Sequence, residues 1–260
     1  MKVLSLYVEN DTPVHKLAPS TKLWYAFSSV IIAFLFSSLW IGAVLLSISL
    51  LLSLVAKVFR HMLKLIGAVL IVSLTMLFIQ GMYYQGNETL VFSLWKFHFY
   101  KEGLIHALLL ILRVFNMIVS FGILILTTKP SDLVTDLVQN GLSPRFGYVL
   151  SSVLQVIPQM ISTSYTIIDA QKSRGLDTEG SVLKKLRAFF ALIGPLVLSS
   201  LVEARERAVA IELRGFSIEG TRTFVNPVVE SHADRWIKMF TKTLVIFAIA
   251  IVLTCSDERV

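Results

Sequence analysis

Asp169-Ala170-Gln171-Lys172-Ser173-Arg174-Gly175-Leu176-Asp177 and Ala210-Ile211-Glu212-Leu213-Arg214-Gly215-Phe216 close two long, mostly apolar segments of the second half of the chain. Each segment reads as a helix, and each ends in Arg-Gly. Glycine takes the left-handed conformation that ends many helices, and a cation suits the negative end of the helix dipole. Capping alone therefore explains either ending. Two matched endings, each on a long apolar helix, read instead as a repeated contact device.

The first of these helices covers about residues 145–172 with Pro158 inside it, and the second about 182–213 with Pro195 after Gly194. An interior proline removes one backbone hydrogen bond and kinks its helix. The second helix continues into Glu203-Ala204-Arg205-Glu206-Arg207, where Glu203 and Arg207 stand in the favourable i, i+4 order. Both helices thus run from apolar to water-compatible, a gradient unsuited to a simple spanning helix. Long helices lying obliquely under the bilayer, with their Arg-Gly ends on the cytoplasmic side, fit it.

Composition names the solvent. Of 260 residues, 55% are hydrophobic and 16% charged, and the mean hydropathy is +0.73. A soluble domain of this length cannot cover so much apolar surface, so the lipid bilayer is its surroundings. The net charge of +7 is no sign of nucleic acid, because lysine and arginine beside membrane segments mark cytoplasmic loops and anionic headgroups. The single cysteine, Cys255, excludes an intrachain disulfide framework, and His15, His61, His98, His106 and His232 show no metal-ligand spacing.

Outward from the central helices, the fold reads as an all-α integral membrane protein with about five transmembrane helices. Lys2, Lys16 and Lys22 favour a cytoplasmic N-terminus. Residues 24–56 contain no Asp, Glu, Lys or Arg. A span needs about 20 residues, so this run divides near Ser37-Ser38 into a hairpin, with Trp24 and Trp40 at interfacial positions. Lys57, Arg60, His61 and Lys64 form a basic patch before a third span at 65–80. Residues 81–103 carry Tyr83, Tyr84, Asn87, Trp95, Phe97, Phe99 and Tyr100. That is an interfacial composition, which a short helix lying along the surface would satisfy; a carbohydrate-binding aromatic platform is the alternative. A fourth span covers 104–127. Pro130 and Asp132 then open an amphipathic helix, 131–140, which Asn140-Gly141 closes. A polar stretch precedes the last span, 236–254. The regions are 1–130 for the first membrane part, 131–217 for the coupling helices, and 218–260 for the connector and final span.

Arg113 lies inside the fourth span, about 14 Å from its start at 1.5 Å per residue. A charge at that depth faces protein or water and marks function, or it snorkels to an interface. Asn116 follows one turn later on a similar face. No acid–base pair, HExxH, GxSxG or phosphate-binding GxxxxGK[ST] pattern occurs, so no catalytic residue, metal site or cofactor is expected. Any energised work draws its energy from another subunit.

These features together resemble the transmembrane T component of energy-coupling-factor (ECF) transporters, the group that includes the cobalt and biotin transporter permease subunits. The resemblance rests on Leu17-Ala18-Pro19-Ser20-Thr21-Lys22-Leu23, on Thr127-Thr128-Lys129-Pro130-Ser131-Asp132-Leu133, and on the endings Ser173-Arg174-Gly175 and Leu213-Arg214-Gly215. The endings match the paired Ala-Arg-Gly signatures of that family, with serine and leucine in place of alanine. Ala18 and Ser20 replace the usual acidic and basic residues of the first motif. The resemblance implies a multi-pass scaffold in the prokaryotic inner membrane. It joins two cytoplasmic ABC-type ATPases to a substrate-binding S component for uptake of a vitamin, metal ion or other micronutrient. It also implies that Ser173, Arg174, Gly175, Leu213, Arg214 and Gly215 dock the ATPases. The alternatives are a conventional ABC importer permease, which docks its ATPase through one coupling loop, and a self-contained channel or secondary transporter with Arg113 in its pathway.

Overall fold

Apolar helices in lipid must satisfy their backbone internally, and this chain is helical almost throughout. The computed structural model describes residues 6–84, 86, 89–94, 97–176, 181–218, 220 and 223–257. In order they form α1 Pro13–Lys16, α2 Pro19–Leu35, α3 Leu39–Val55, α4 Phe59–Tyr83, β1 Leu90–Leu94, β2 Phe97–Tyr100 and α5 Lys101–Thr127. After these come α6 Pro130–Gln139, α7 Pro144–Ser173, α8 Val182–Leu213 and α9 His232–Asp257. Two compact units result. One contains residues 141–227, the other residues 6–140 and 228–257. Helix α6, grouped above with the coupling helices, packs on α2 and so lies in the second unit, while residues 218–227 lie in the first.

In the membrane unit α5 is the central post, packed against α2, α3 and α4, and α9 packs on α2. Helices α4, α5 and α9 are long and apolar enough to cross a membrane, as is the Ala188–Leu213 part of α8. The uncharged run 24–56 does break into α2 and α3, with residues 36–38 as the turn. Each has 17 residues, about 25 Å. Their hairpin reaches only to the middle of α5, because its turn meets Arg113. A core of Val14, Ala56, Val58, Met62, Val119, Ile123 and Leu126 joins α1, the α3–α4 turn, α4 and α5. Gly122 admits Met62 there, since a Cβ would stand 2.6 Å from its Cε.

The polar residues inside this unit bind helices to one another. Asn116, fully buried, donates from Nδ2 to the Ser29 carbonyl (3.2 Å) and accepts at Oδ1 from Ser49 Oγ (3.1 Å). Ser49 in turn meets the Tyr25 hydroxyl at 2.8 Å and Ser120 Oγ at 3.2 Å. Helices α2, α3 and α5 are thereby tied at one level. Asn116→Leu removes the hub and strands the serines. We expect a loss of about 1–2 kcal/mol, the upper range for interhelical hydrogen bonds in membranes, read as a lower thermal midpoint in detergent.

One local reading is corrected and two are made more exact. The described residues between 90 and 100 form no surface helix. Strands β1 and β2 make an antiparallel pair (Leu94 opposite Phe97, Leu90 opposite Tyr100) with an irregularity between Leu90 and Phe92. Aromatic and β-branched residues here favour a pleated surface. Phe99 packs edge-on to Phe78 at 5.4 Å and Tyr84 stacks on His106 at 4.6 Å, so part of the aromatic set seals the ends of α4 and α5. Asn87 and Trp95 lie outside the described residues. Second, α4 starts at Phe59, so Arg60, His61 and Lys64 sit exposed on its first turns. Third, Lys22 is a buried residue, 5% exposed, donating from Nζ to the Thr127 carbonyl at 2.9 Å and the His15 carbonyl at 3.3 Å. His15 itself sits between Thr12 Oγ1 (2.7 Å) and the Val8 carbonyl (3.0 Å). Burial holds its imidazole below the usual pKa, against the raising effect of the Val8 bond.

Candidate coupling site: two matched helix ends

The unit of residues 141–227 is built on α7 and α8. Ser143 caps α7 through Phe146 N–H, and Pro144 occupies the first turn. Pro158 and Pro195 both lie inside continuous helix. The helices run antiparallel. Tyr148 near the start of α7 meets Phe216 just beyond α8, with ring centroids 5.3 Å apart. Midway, the Gln159 amide donates to Glu203 at 2.8 Å and accepts from Arg207 at 3.3 Å. The i, i+4 pair therefore grips one amide of the facing helix. At the other end Gln171, Lys172 and Leu176 line a groove with Ala188, Phe189 and Leu192.

The two Arg-Gly ends adopt one geometry. Arg174 has φ −87° and ψ 8°, and Arg214 has φ −82° and ψ 4°. Gly175 and Gly215 follow at φ +88° and +77°. Gly175 N–H bonds the Lys172 carbonyl (2.9 Å) and Leu176 N–H the Gln171 carbonyl (3.0 Å); Gly215 to Glu212 (2.9 Å) and Phe216 to Ile211 (3.2 Å) repeat the pattern. This is the paired 5→2 and 6→1 bonding of a Schellman cap, which needs a left-handed residue. The apolar residue that completes each cap turns to the other helix: Leu176 toward the start of α8, Phe216 onto Tyr148.

A third left-handed glycine after a helix, among the described residues, helps to separate glycine's role from arginine's. Helix α6 ends with Asn140 at φ −87°, ψ 10° and Gly141 at φ +109°. Asn140 takes the dihedral angles of Arg174 and Arg214 without a guanidinium, although the Gly141 and Leu142 N–H groups do not repeat the paired cap bonds. Cap geometry thus accounts for Gly175 and Gly215 but not for Arg174 and Arg214. Both arginines are exposed, and neither guanidinium has a hydrogen-bond or ion-pair partner among the described residues. Leu213, beside Arg214, is 84% exposed. Ser173 is engaged internally, donating to the Asp169 carbonyl at 3.0 Å.

The structure does not bring the two ends together. From Gln159 to Arg174 and from Glu203 to Arg214 the helices run in opposite directions, about 22 and 16 Å at 1.5 Å per residue. The guanidiniums so stand at opposite ends of a stiff pair. Neither Glu203 nor Glu206 faces a second acid: Glu203 holds Gln159, and Glu206 is exposed.

Replacing either glycine by alanine should cost about 1–2 kcal/mol from the left-handed backbone alone. A Cβ at 175 meets open space, whereas at 215 it stands 2.8 Å from Ile218 Cδ1. Gly215→Ala is therefore expected to speed amide hydrogen exchange at Phe216 more than Gly175→Ala does at Leu176. Ile218→Ala should remove the difference.

Arg113, the remaining site candidate, is placed elsewhere. Its Nε donates to the Ala33 carbonyl at 2.8 Å, and Nη2 reaches the Phe34 and Phe36 carbonyls (3.4 Å each) and Ser37 Oγ (3.3 Å). The guanidinium also lies 5.3 Å from the Phe34 ring centroid. It closes the C-terminus of α2 and the α2–α3 turn, while Asn116 makes its separate network one turn on. Sequence reading found the charge but missed its partners, since backbone carbonyls leave no residue signature. It also missed Asp136 and Asp234, both buried at the start of α2. The Ser231-x-x-Asp234 spacing is a capping-box signal that marks one of them.

Comparison with known proteins bears on this geometry. Residues 10–223 match the family model described as cobalt transport protein, CbiQ. The chain is 33% identical over 238 residues to the energy-coupling factor transporter transmembrane protein EcfT of Lactococcus lactis subsp. cremoris (strain MG1363), covering 85% of this chain and 86% of that one. It is 32% identical to the EcfT protein of Thermanaerovibrio acidaminovorans over 244 residues, 86% and 87% of the two chains. With the EcfT protein of Bacillus subtilis (strain 168) the identity is 30% over 244 residues, 89% and 91%.

Proposed function

The chain belongs to the cobalt transport protein (CbiQ) family as a transmembrane T component of energy-coupling-factor transporters, a multi-pass protein of the bacterial cell membrane, and we propose that it couples ATP-driven motion of two separate ABC-type ATPases to a substrate-binding S component. The observation that carries this reading is the pair of matched caps at opposite ends of α7–α8, each presenting an exposed arginine that the cap itself does not need. Arginine offers a rigid fork of donors to carboxylates and carbonyls, and a following glycine lets a partner's backbone approach. Opposite placement suits two ATPases, one on each end. When the ATPases close, the ends draw together and the helix pair changes its crossing angle. Hydrolysis takes place on the ATPases, and this chain supplies the lever.

The solute is a vitamin, metal ion or other micronutrient held by the S component. Within the membrane unit Asn116, Tyr25 and the three serines bond one another, and Arg113 bonds the α2–α3 turn. These polar groups hold helices together, which favours a scaffold over a solute pathway. Co-purification of the tagged chain from its native membrane tests the reading. Two ATPase polypeptides and a small membrane protein should accompany it, with ATP-dependent uptake after reconstitution. Purification of the chain alone, with solute uptake by it alone, would overturn the proposal.

A further inference from the structure

The chain leaves the membrane unit after Asn140 and re-enters it at Val228. One turn before the exit stands Asp136, and close after the return stands Asp234, 1% and 0% exposed. Both reach the same place. An Asp136 oxygen accepts from the Ser20 N–H, and Asp234 Oδ1 accepts from the Ala18 N–H at 2.9 Å. The other oxygen of each holds its own segment: Asp136 Oδ1 accepts from Asn140 Nδ2 at 2.7 Å, and Asp234 Oδ2 from the Ser231 N–H at 2.9 Å. With its amide oriented so that both groups are satisfied, Gln139 brackets the Val228 backbone N–H and carbonyl at 3.2 Å each. Lys22, in the first turns of the same helix, adds the α5 terminus through the Thr127 carbonyl.

Helix α2 does not cap itself. Its N-cap residue is Ala18, and Pro19 has no N–H to offer. A helix start leaves several backbone donors open, and an anion there is favoured by the dipole. One Ser or Asp at position 18 would meet part of that need locally. Here two carboxylates arrive instead, one from each segment that leads to and from α7–α8.

We propose that Asp136 and Asp234 are positioning residues for transport: they ground both connections of the coupling unit on the α2 N-terminus. Displacement of α7–α8 then reaches the membrane helices rather than being taken up as slack. This rests on the coupling function proposed above.

The test uses the complete complex with its ATPases and S component in proteoliposomes, reading solute uptake per ATP hydrolysed. One variant carries Asp136→Asn with Asp234→Asn, which keeps size but removes charge. The other inserts Gly-Ser-Gly-Ser between Asn140 and Gly141, leaving every clamp residue in place. Both should lower uptake per ATP about tenfold, the middle of the range for coupling between sites, with hydrolysis continuing. Wild-type uptake per ATP in either variant overturns the clamp, and so does a lower yield of complex that transports normally. Should the Asn variant fail to assemble, the insertion decides. Absence of ATP-dependent uptake by the wild-type complex would instead strike the coupling function itself.

Discussion

Changing both Arg174 and Arg214 to alanine should strip the ATPases from the chain while leaving it inserted and bound to its small membrane partner. Buried arginines at interface centres cost about 2–4 kcal/mol each on truncation, roughly 30- to 1,000-fold in affinity at 1.4 kcal/mol per factor of ten. Each single change should weaken docking at one end, and the double change should abolish uptake. Folding should be untouched, because both side chains are exposed and the bonds that close the two caps are between backbone groups alone. Arg→Lys keeps the charge but loses the fork, so it should restore only part of the binding. If the double variant transports like wild type, the arginines are ordinary surface residues.

Arg113→Met carries the second large effect, and on stability rather than docking. It leaves the Ala33, Phe34 and Phe36 carbonyls without their donor at a helix end where lipid offers no replacement. Unsatisfied buried groups cost about 1–3 kcal/mol each, and some relief comes from the turn relaxing. A loss of about 2–4 kcal/mol is expected, measured as thermal unfolding in detergent, with Arg113→Lys intermediate. Transport by the surviving folded fraction should be near normal. A variant of unchanged stability that no longer transports would show that Arg113 works on solute or partner instead.

Much of the architecture was legible in the sequence because lipid imposes simple rules. Uncharged length marked α2 and α3, and even their division at residues 36–38 followed from a run too long for one span. Pro130, Asp132 and Asn140-Gly141 bounded α6 through caps, and Arg-Gly bounded α7 and α8. The hairpin at 90–100 was missed because aromatic, lightly charged sequence suits a surface helix and a pleated pair alike; pairing is a long-range fact. Lys22 was read as a topological charge, but its burial depends on carbonyls and carboxylates contributed by α1, α5, α6 and α9.

The coupling site divides in the same way. Two Arg-Gly motifs are visible in a line of letters, and their chemistry can be stated. That they form identical caps, that the apolar residue of each locks onto the opposite helix, and that Gln159 pins the crossing are products of packing. That backbone groups alone close both caps, leaving the guanidiniums free of them, also needed coordinates.

Site-directed crosslinking at the two ends would show directly whether they dock the ATPases. In a Cys255→Ser background, Ser173→Cys and Leu213→Cys would each carry a short photoreactive label within the assembled complex. A covalent adduct is expected from each position to an ATPase subunit, a different copy from each end, with loss of both adducts when Arg174 and Arg214 are alanine. Adducts only to lipid or to the small membrane protein, from either end, would rule out docking by these helix ends.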